Sequence, residues 1–65
     1  MTPEEILIRV EEIRACMWDN EVAHCREDDL YTDVLRAISE GEPKARELAS
    51  AALEAQKLDY TRWHA

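Results

Sequence analysis

The sequence has one glycine, two prolines, two cysteines and about half as many basic as acidic residues. Each shortage removes a class of function. One glycine cannot build a glycine-rich phosphate loop, and there is no nucleophile elbow. Small secreted domains held by disulfides generally carry four or more cysteines, so Cys16 and Cys25 are expected as reduced packing residues of a cytoplasmic protein. The first twenty residues are crossed by Glu4, Glu5, Arg9, Glu11, Glu12 and Arg14. They contain neither the basic start and apolar run of a signal peptide nor a bilayer-length apolar segment. The formal charge of −7 opposes direct binding to nucleic acid or anionic membrane, because both need a basic stripe. The partner it implies is a basic protein surface, or none at all.

What is present is helical. Thr2-Pro3-Glu4-Glu5 reads as a helix start, with Thr2 as cap, Pro3 at the first position and Glu5 where a capping box needs an acid. Ile6, Val10, Ile13 and Met17 follow at helical spacing through about Trp18. Glu5–Arg9, Arg9–Glu12 and Glu11–Arg14 are spaced to pair on the outer surface. Asp19-Asn20 predicts a break, since both residues favour caps over helix interiors. The competing reading is one helix from Pro3 to Glu40, since the apolar phase runs on through Tyr31, Leu35 and Ile38. With the break, the second helix runs to Ser39 or Glu40 and stops at Gly41. Its expected core positions are Leu30, Tyr31, Val34, Leu35 and Ile38. Pro43 opens a third helix with Ala45, Leu48, Ala49, Ala52 and Leu53 inward. A last turn, capped by Asp59, is expected to fold back and bury Trp63. The fold class is thus all-α, a single domain over 1–65: a small three-helix bundle with a short C-terminal helical turn. So short a chain buries a modest fraction of its surface, which makes pairing of two copies a further expectation.

Six of the fifteen acids lie between Asp19 and Asp33, with Arg26 as the accompanying cation. Asp29 and Asp33 share an outward stripe with Arg26 and Arg36. Glu21, His24, Glu27 and Asp28 instead extend the Tyr31–Leu35 stripe into positions where an amphipathic helix places apolar residues. Three readings are open. In the first, the helix simply projects past the core as a solvated polar end. In the second, the group forms a hydrogen-bond cluster, with His24 held by Asp28, Arg62 approaching a carboxylate and Trp63 covering both. In the third, Glu21-x-x-His24 has the spacing of one ligand pair in a di-iron helical bundle, with Glu11 or Glu12 as the added carboxylate. That motif is short, and a complete site needs two such pairs. Zinc is poorer, because His24 and Cys25 point about 100° apart on a helix. His64 is expected as a surface group. No nucleophile stands beside a base and an oxyanion donor, so no enzyme is expected and no cofactor is assigned.

Residues 19–38, Asp-Asn-Glu-Val-Ala-His-Cys-Arg-Glu-Asp-Asp-Leu-Tyr-Thr-Asp-Val-Leu-Arg-Ala-Ile, are followed by Leu-Asp-Tyr-Thr-Arg-Trp-His-Ala at 58–65. Together they resemble a group of small bacteriophage and prophage proteins. That group pairs an Ala-His-x-x-Glu-Asp-x-Leu-Tyr segment with an Arg-Trp tail. The likeness covers a little under half the chain and brings no known activity. It implies a phage accessory protein made in the bacterial cytoplasm, and it links His24, Glu27 and Asp28 with Arg62 and Trp63. Members often carry cysteines near the third helix and the terminus. Here Glu42-Pro43 and His64 stand in those regions, so no cysteine-based role carries over. The expected function is non-catalytic binding to a bacterial or phage protein through Glu21, His24, Glu27, Asp28, Arg62 and Trp63. A metal-binding dimer and a structural or assembly component are the alternatives. Mimicry of nucleic acid is a narrower version, weakened by the many acids already spaced to pair with arginine or lysine.

Overall fold

The computed structural model describes residues 1–62. Helix α1 spans Pro3–Ala15, α2 spans Asn20–Ser39 and α3 spans Ala45–Leu53; a 3₁₀ turn, Glu54–Lys57, continues directly from α3. No helix among the described residues is long and apolar enough to cross a membrane.

The helix ends follow their local chemistry. The Thr2 hydroxyl accepts from the Glu5 amide at 3.1 Å, and the Glu5 carboxylate accepts from the Thr2 amide at 3.1 Å, so the expected capping box is formed. The break before α2 is present as well. Residues 16–19 form a turn, and the Asp19 carboxylate accepts from the Val22 amide at 3.2 Å. One helix from Pro3 to Glu40 is therefore not formed. Cys16 and Met17 pack against the core from within the turn. Gly41 leads the chain out of α2 at φ 94°, a conformation that side chains with a Cβ rarely adopt.

The core is built from Ile6, Val10 and Ile13 of α1, Ala23, Leu30 and Val34 of α2, Leu48, Ala51 and Ala52 of α3, and Ala55 and Leu58 beyond it. Helix α1 packs against both other helices, and the alanines of α3 let backbones approach closely. Several expected details are corrected. Tyr31 and Ile38 are half-buried, while Leu35 and Leu53 are 66% and 53% exposed. The inner line of α2 passes through Ala23, Glu27, Leu30 and Val34, and Leu35 falls about a third of a turn outside it. Ala51, not Ala49, is the second inner alanine of α3, and Ala45 is half-buried. Pro43 lies in the turn two residues ahead of that helix, which Lys44 begins without a side-chain cap. The final turn comes earlier than Asp59 would have placed it. Leu58 is extended and buried, and the described chain then returns to α2 without helical structure. Of the surface pairs, Arg14–Glu11 is made at 3.2 Å, whereas Arg9 reaches across to Asp33 on α2 at 2.8 Å.

A Cβ built on Gly41 would meet nothing within 4 Å, so the cost of replacing it lies in the backbone alone. Gly41→Ala is expected to lower stability in urea unfolding by about 1–2 kcal/mol, with Gly41→Asn costing less. Equal losses for the two would show that the left-handed conformation is not what the turn depends on.

Candidate functional site

Glu27 lies on the inner line of α2, between Ala23 and Leu30, and is only 3% exposed. A carboxylate there would be costly without partners, and it has three. One turn along the same helix, the Tyr31 hydroxyl donates to Oε2 at 2.7 Å. The returning tail brings two more donors to Oε1: the Tyr60 hydroxyl, in a short hydrogen bond, and the Arg62 Nε at 3.0 Å. Among the described residues, no buried side-chain nitrogen or oxygen lacks a hydrogen-bond partner.

Arg62 also closes the end of the bundle. Its Nη2 donates to the carbonyls of Ala55 and Leu58, both at 3.1 Å, and Nη1 donates to the Tyr60 carbonyl at 3.4 Å. The last carbonyls of a helical segment have no partner within it, so a guanidinium placed there acts as a cap. The same group stacks over the Tyr60 ring, 4.1 Å from its centroid. One cation thereby neutralises Glu27, caps the 3₁₀ turn and fixes the ring that supplies the third donor.

The electrostatics follow from this geometry. Burial pushes the Glu27 carboxyl up. The hydrogen bonds from Tyr60, Tyr31 and Arg62, with the Arg62 charge, outweigh burial and hold it below its ordinary value. The Tyr31 and Tyr60 phenols are held above theirs, first by burial and then by the neighbouring carboxylate. A carboxylate committed to three donors is a poor proton acceptor near neutrality. What the cluster does well is hold residues 58–62 against α2.

The six expected site residues are divided by the structure. Glu27 and Arg62 come together inside. His24 is half-buried, and its Nε2 lies 3.4 Å from Oδ2 of the exposed Asp28, the one-turn contact the sequence suggested. Glu21 is exposed, and Trp63 and His64 lie outside the described residues. The polar group therefore does not act as one face: of Glu21, His24, Glu27 and Asp28, only Glu27 enters the core. Tyr31 and Tyr60 were missed as members. The available signals were a tyrosine one helical turn after Glu27 and another two residues before Arg62. Cys16 is half-buried, with its thiol donating to the Ile13 carbonyl at 3.3 Å, whereas Cys25 is exposed and not a packing residue. Among the described residues of one chain, no three His, Cys, Asp or Glu side chains are grouped to hold a metal ion. No protein-family model, curated protein or solved structure matches the chain.

Two sets of outcomes follow. Tyr60→Phe should cost about 1.5–3 kcal/mol in urea unfolding, as loss of a hydrogen bond to a charged acceptor does. Arg62→Met should cost about 2 kcal/mol, less than breaking a fully buried pair because the guanidinium keeps some contact with water. A loss near zero for both would mean that the tail is not held through Glu27.

The second outcome is a pH profile. Glu27, held low when folded, contributes stability that is whole above its ordinary value of 4.5 and lost as pH falls through the lower folded value. The tyrosines, held high, contribute stability that is whole below 10.0 and lost as pH rises through their folded values. Unfolding midpoints across this range should show a plateau with two falling limbs, and Glu27→Gln should flatten the acid limb. An acid limb unchanged in that variant would assign it to other carboxylates.

Proposed function

We propose that this chain is a non-catalytic interaction module, a small acidic accessory protein of the bacteriophage type. It acts in the bacterial cytoplasm by docking on a bacterial or phage protein. The observation that carries this reading is Trp18, which stands 85% exposed in the turn before α2. Val22, four residues on, is also exposed, and Glu21 and Asp19 lie between them in the chain. An indole left in water forfeits a large apolar area, and tryptophans of this kind are the usual anchors of protein contacts. The acid-rich start of α2 supplies the field that draws a basic surface toward that anchor.

The contact surface is therefore moved from the one the sequence suggested. Glu27 and Arg62 are spent on each other and on the tail, so they support the module's shape and not its contact. Glu21 and Asp28 remain outward. The reading as a structural or assembly component is favoured by a separate observation, an open apolar groove between α2 and α3.

Immobilised protein in a bacterial lysate tests the docking reading. Trp18→Ala should reduce capture of a specific partner by roughly thirtyfold, the loss expected of an interface anchor. Glu21→Lys should weaken capture in a salt-dependent way, with melting temperature unchanged in both variants. Undiminished capture by folded Trp18→Ala would remove this surface from the proposal.

A further inference from the structure

Residues 59–62 follow the buried, extended Leu58 and run back to α2 as a strap without helical structure. Asp59 and Thr61 are exposed, so the strap touches the bundle through Tyr60 and Arg62. Their hydrogen bonds to α2 both end on Glu27 Oε1. The other bonds of Arg62 go to the carbonyls of Ala55, Leu58 and Tyr60, which water satisfies once the strap leaves. The stacking of Arg62 on the Tyr60 ring lies within the strap and does not involve α2. That ring, half-buried, supplies apolar contact with the core. Ordering four residues costs more backbone entropy than one half-buried ring returns. The hold on α2 therefore rests on one carboxylate.

The charge of Glu27 acts on the strap in two ways. It attracts the Arg62 guanidinium and strengthens the hydrogen bond from Tyr60. It also makes opening costly, because a carboxylate on the inner line of α2 would be left with Tyr31 as its donor. A neutral carboxyl attracts no cation and is far cheaper to leave with one donor. The helices do not share this dependence. The buried residues of α1, and of α3 with its 3₁₀ turn, are all apolar. The charged side chains of those elements are exposed or turned to surface partners, Arg9 to Asp33, Arg14 to Glu11 and Glu54 to Lys57. The titratable and charged groups around Glu27 are Tyr60 and Arg62 of the strap, and Tyr31 and His24 of α2, the last beside Asp28.

We propose that residues 59–62 are a proton-released strap: a proton on Glu27 frees them from α2 while the three helices stay folded. The domain then has two folded shapes, helices with the strap and helices alone. In the second shape the Glu27 carboxyl and the Tyr31 hydroxyl are uncovered. The donors hold the carboxyl below its ordinary 4.5, so the strap stays closed above that value and opens as pH falls beneath it.

NMR of the ¹⁵N-labelled chain, titrated from neutrality into acid, tests this. Signals of Tyr60 and Arg62 should shift together below pH 4.5, where those of Val10, Leu30 and Leu48 keep their neutral positions. Glu27→Gln should show the released Tyr60 and Arg62 signals already at neutral pH, with its helical circular dichroism kept. Trypsin must seat the Arg62 side chain in its own pocket, so it should cut the Arg62–Trp63 bond of that variant at least about tenfold faster than in the wild type. One transition shared by strap and core signals would overturn the proposal, since the strap would then open only with the helices. Strap signals that never move in acid would overturn it too. So would a Glu27→Gln variant that loses its helices, or one that keeps the wild-type signals and cleavage rate.

Discussion

A carboxylate with its back to the solvent must have each oxygen occupied, and most of what is particular about this bundle follows from how Glu27 meets that demand. The helix itself can supply one donor, Tyr31, because a residue four positions on lies over the same face. The other donors have to come from outside the helix. They come from Tyr60 and Arg62, which are 33 and 35 residues away in sequence. The tail is thereby held in place by a group in α2, and the Arg62 guanidinium in turn donates to the Ala55 and Leu58 carbonyls at the end of the 3₁₀ turn. An apolar residue at position 27 could fill the same space. It would take from Tyr60 and Arg62 the acceptor that draws both to α2.

The helices, their caps and the break at Asp19 were legible because they depend on residues close together in sequence. Thr2 with Glu5, Asp19 before Val22, and Gly41 after Ser39 each act within a few positions. The inner face was less legible. Ala23, Ala51, Ala52 and Ala55 are all buried, yet alanine carries little apolar signal. A stripe drawn through the large residues therefore drifted outward to Leu35 and Leu53. The same drift hid the site: with Tyr31 and Leu35 taken as the centre, Glu27 was one of four polar residues at the start of α2, when it is the one that lies on the core line.

Arg62 was expected to approach a carboxylate, and it does. What the spacing could not show was that Tyr60 would share that carboxylate, because the tail was expected to be helical. In a helix, residues 60 and 62 point about 200° apart. In the extended segment after Leu58 they lie on one side, which is how both reach the same oxygen. The conformation of a few residues thus decided the membership of the cluster.

The sequence distance spanned by this cluster has a bearing on what a shortened chain would be. Residues 1–58 hold every helix and every apolar core residue described for the bundle. They hold neither of the groups that satisfy Glu27 Oε1. A chain clipped just ahead of Tyr60 would keep all of those helices and carry on its inner face an acid with a single donor, so its packing would be penalised by a group it already contains.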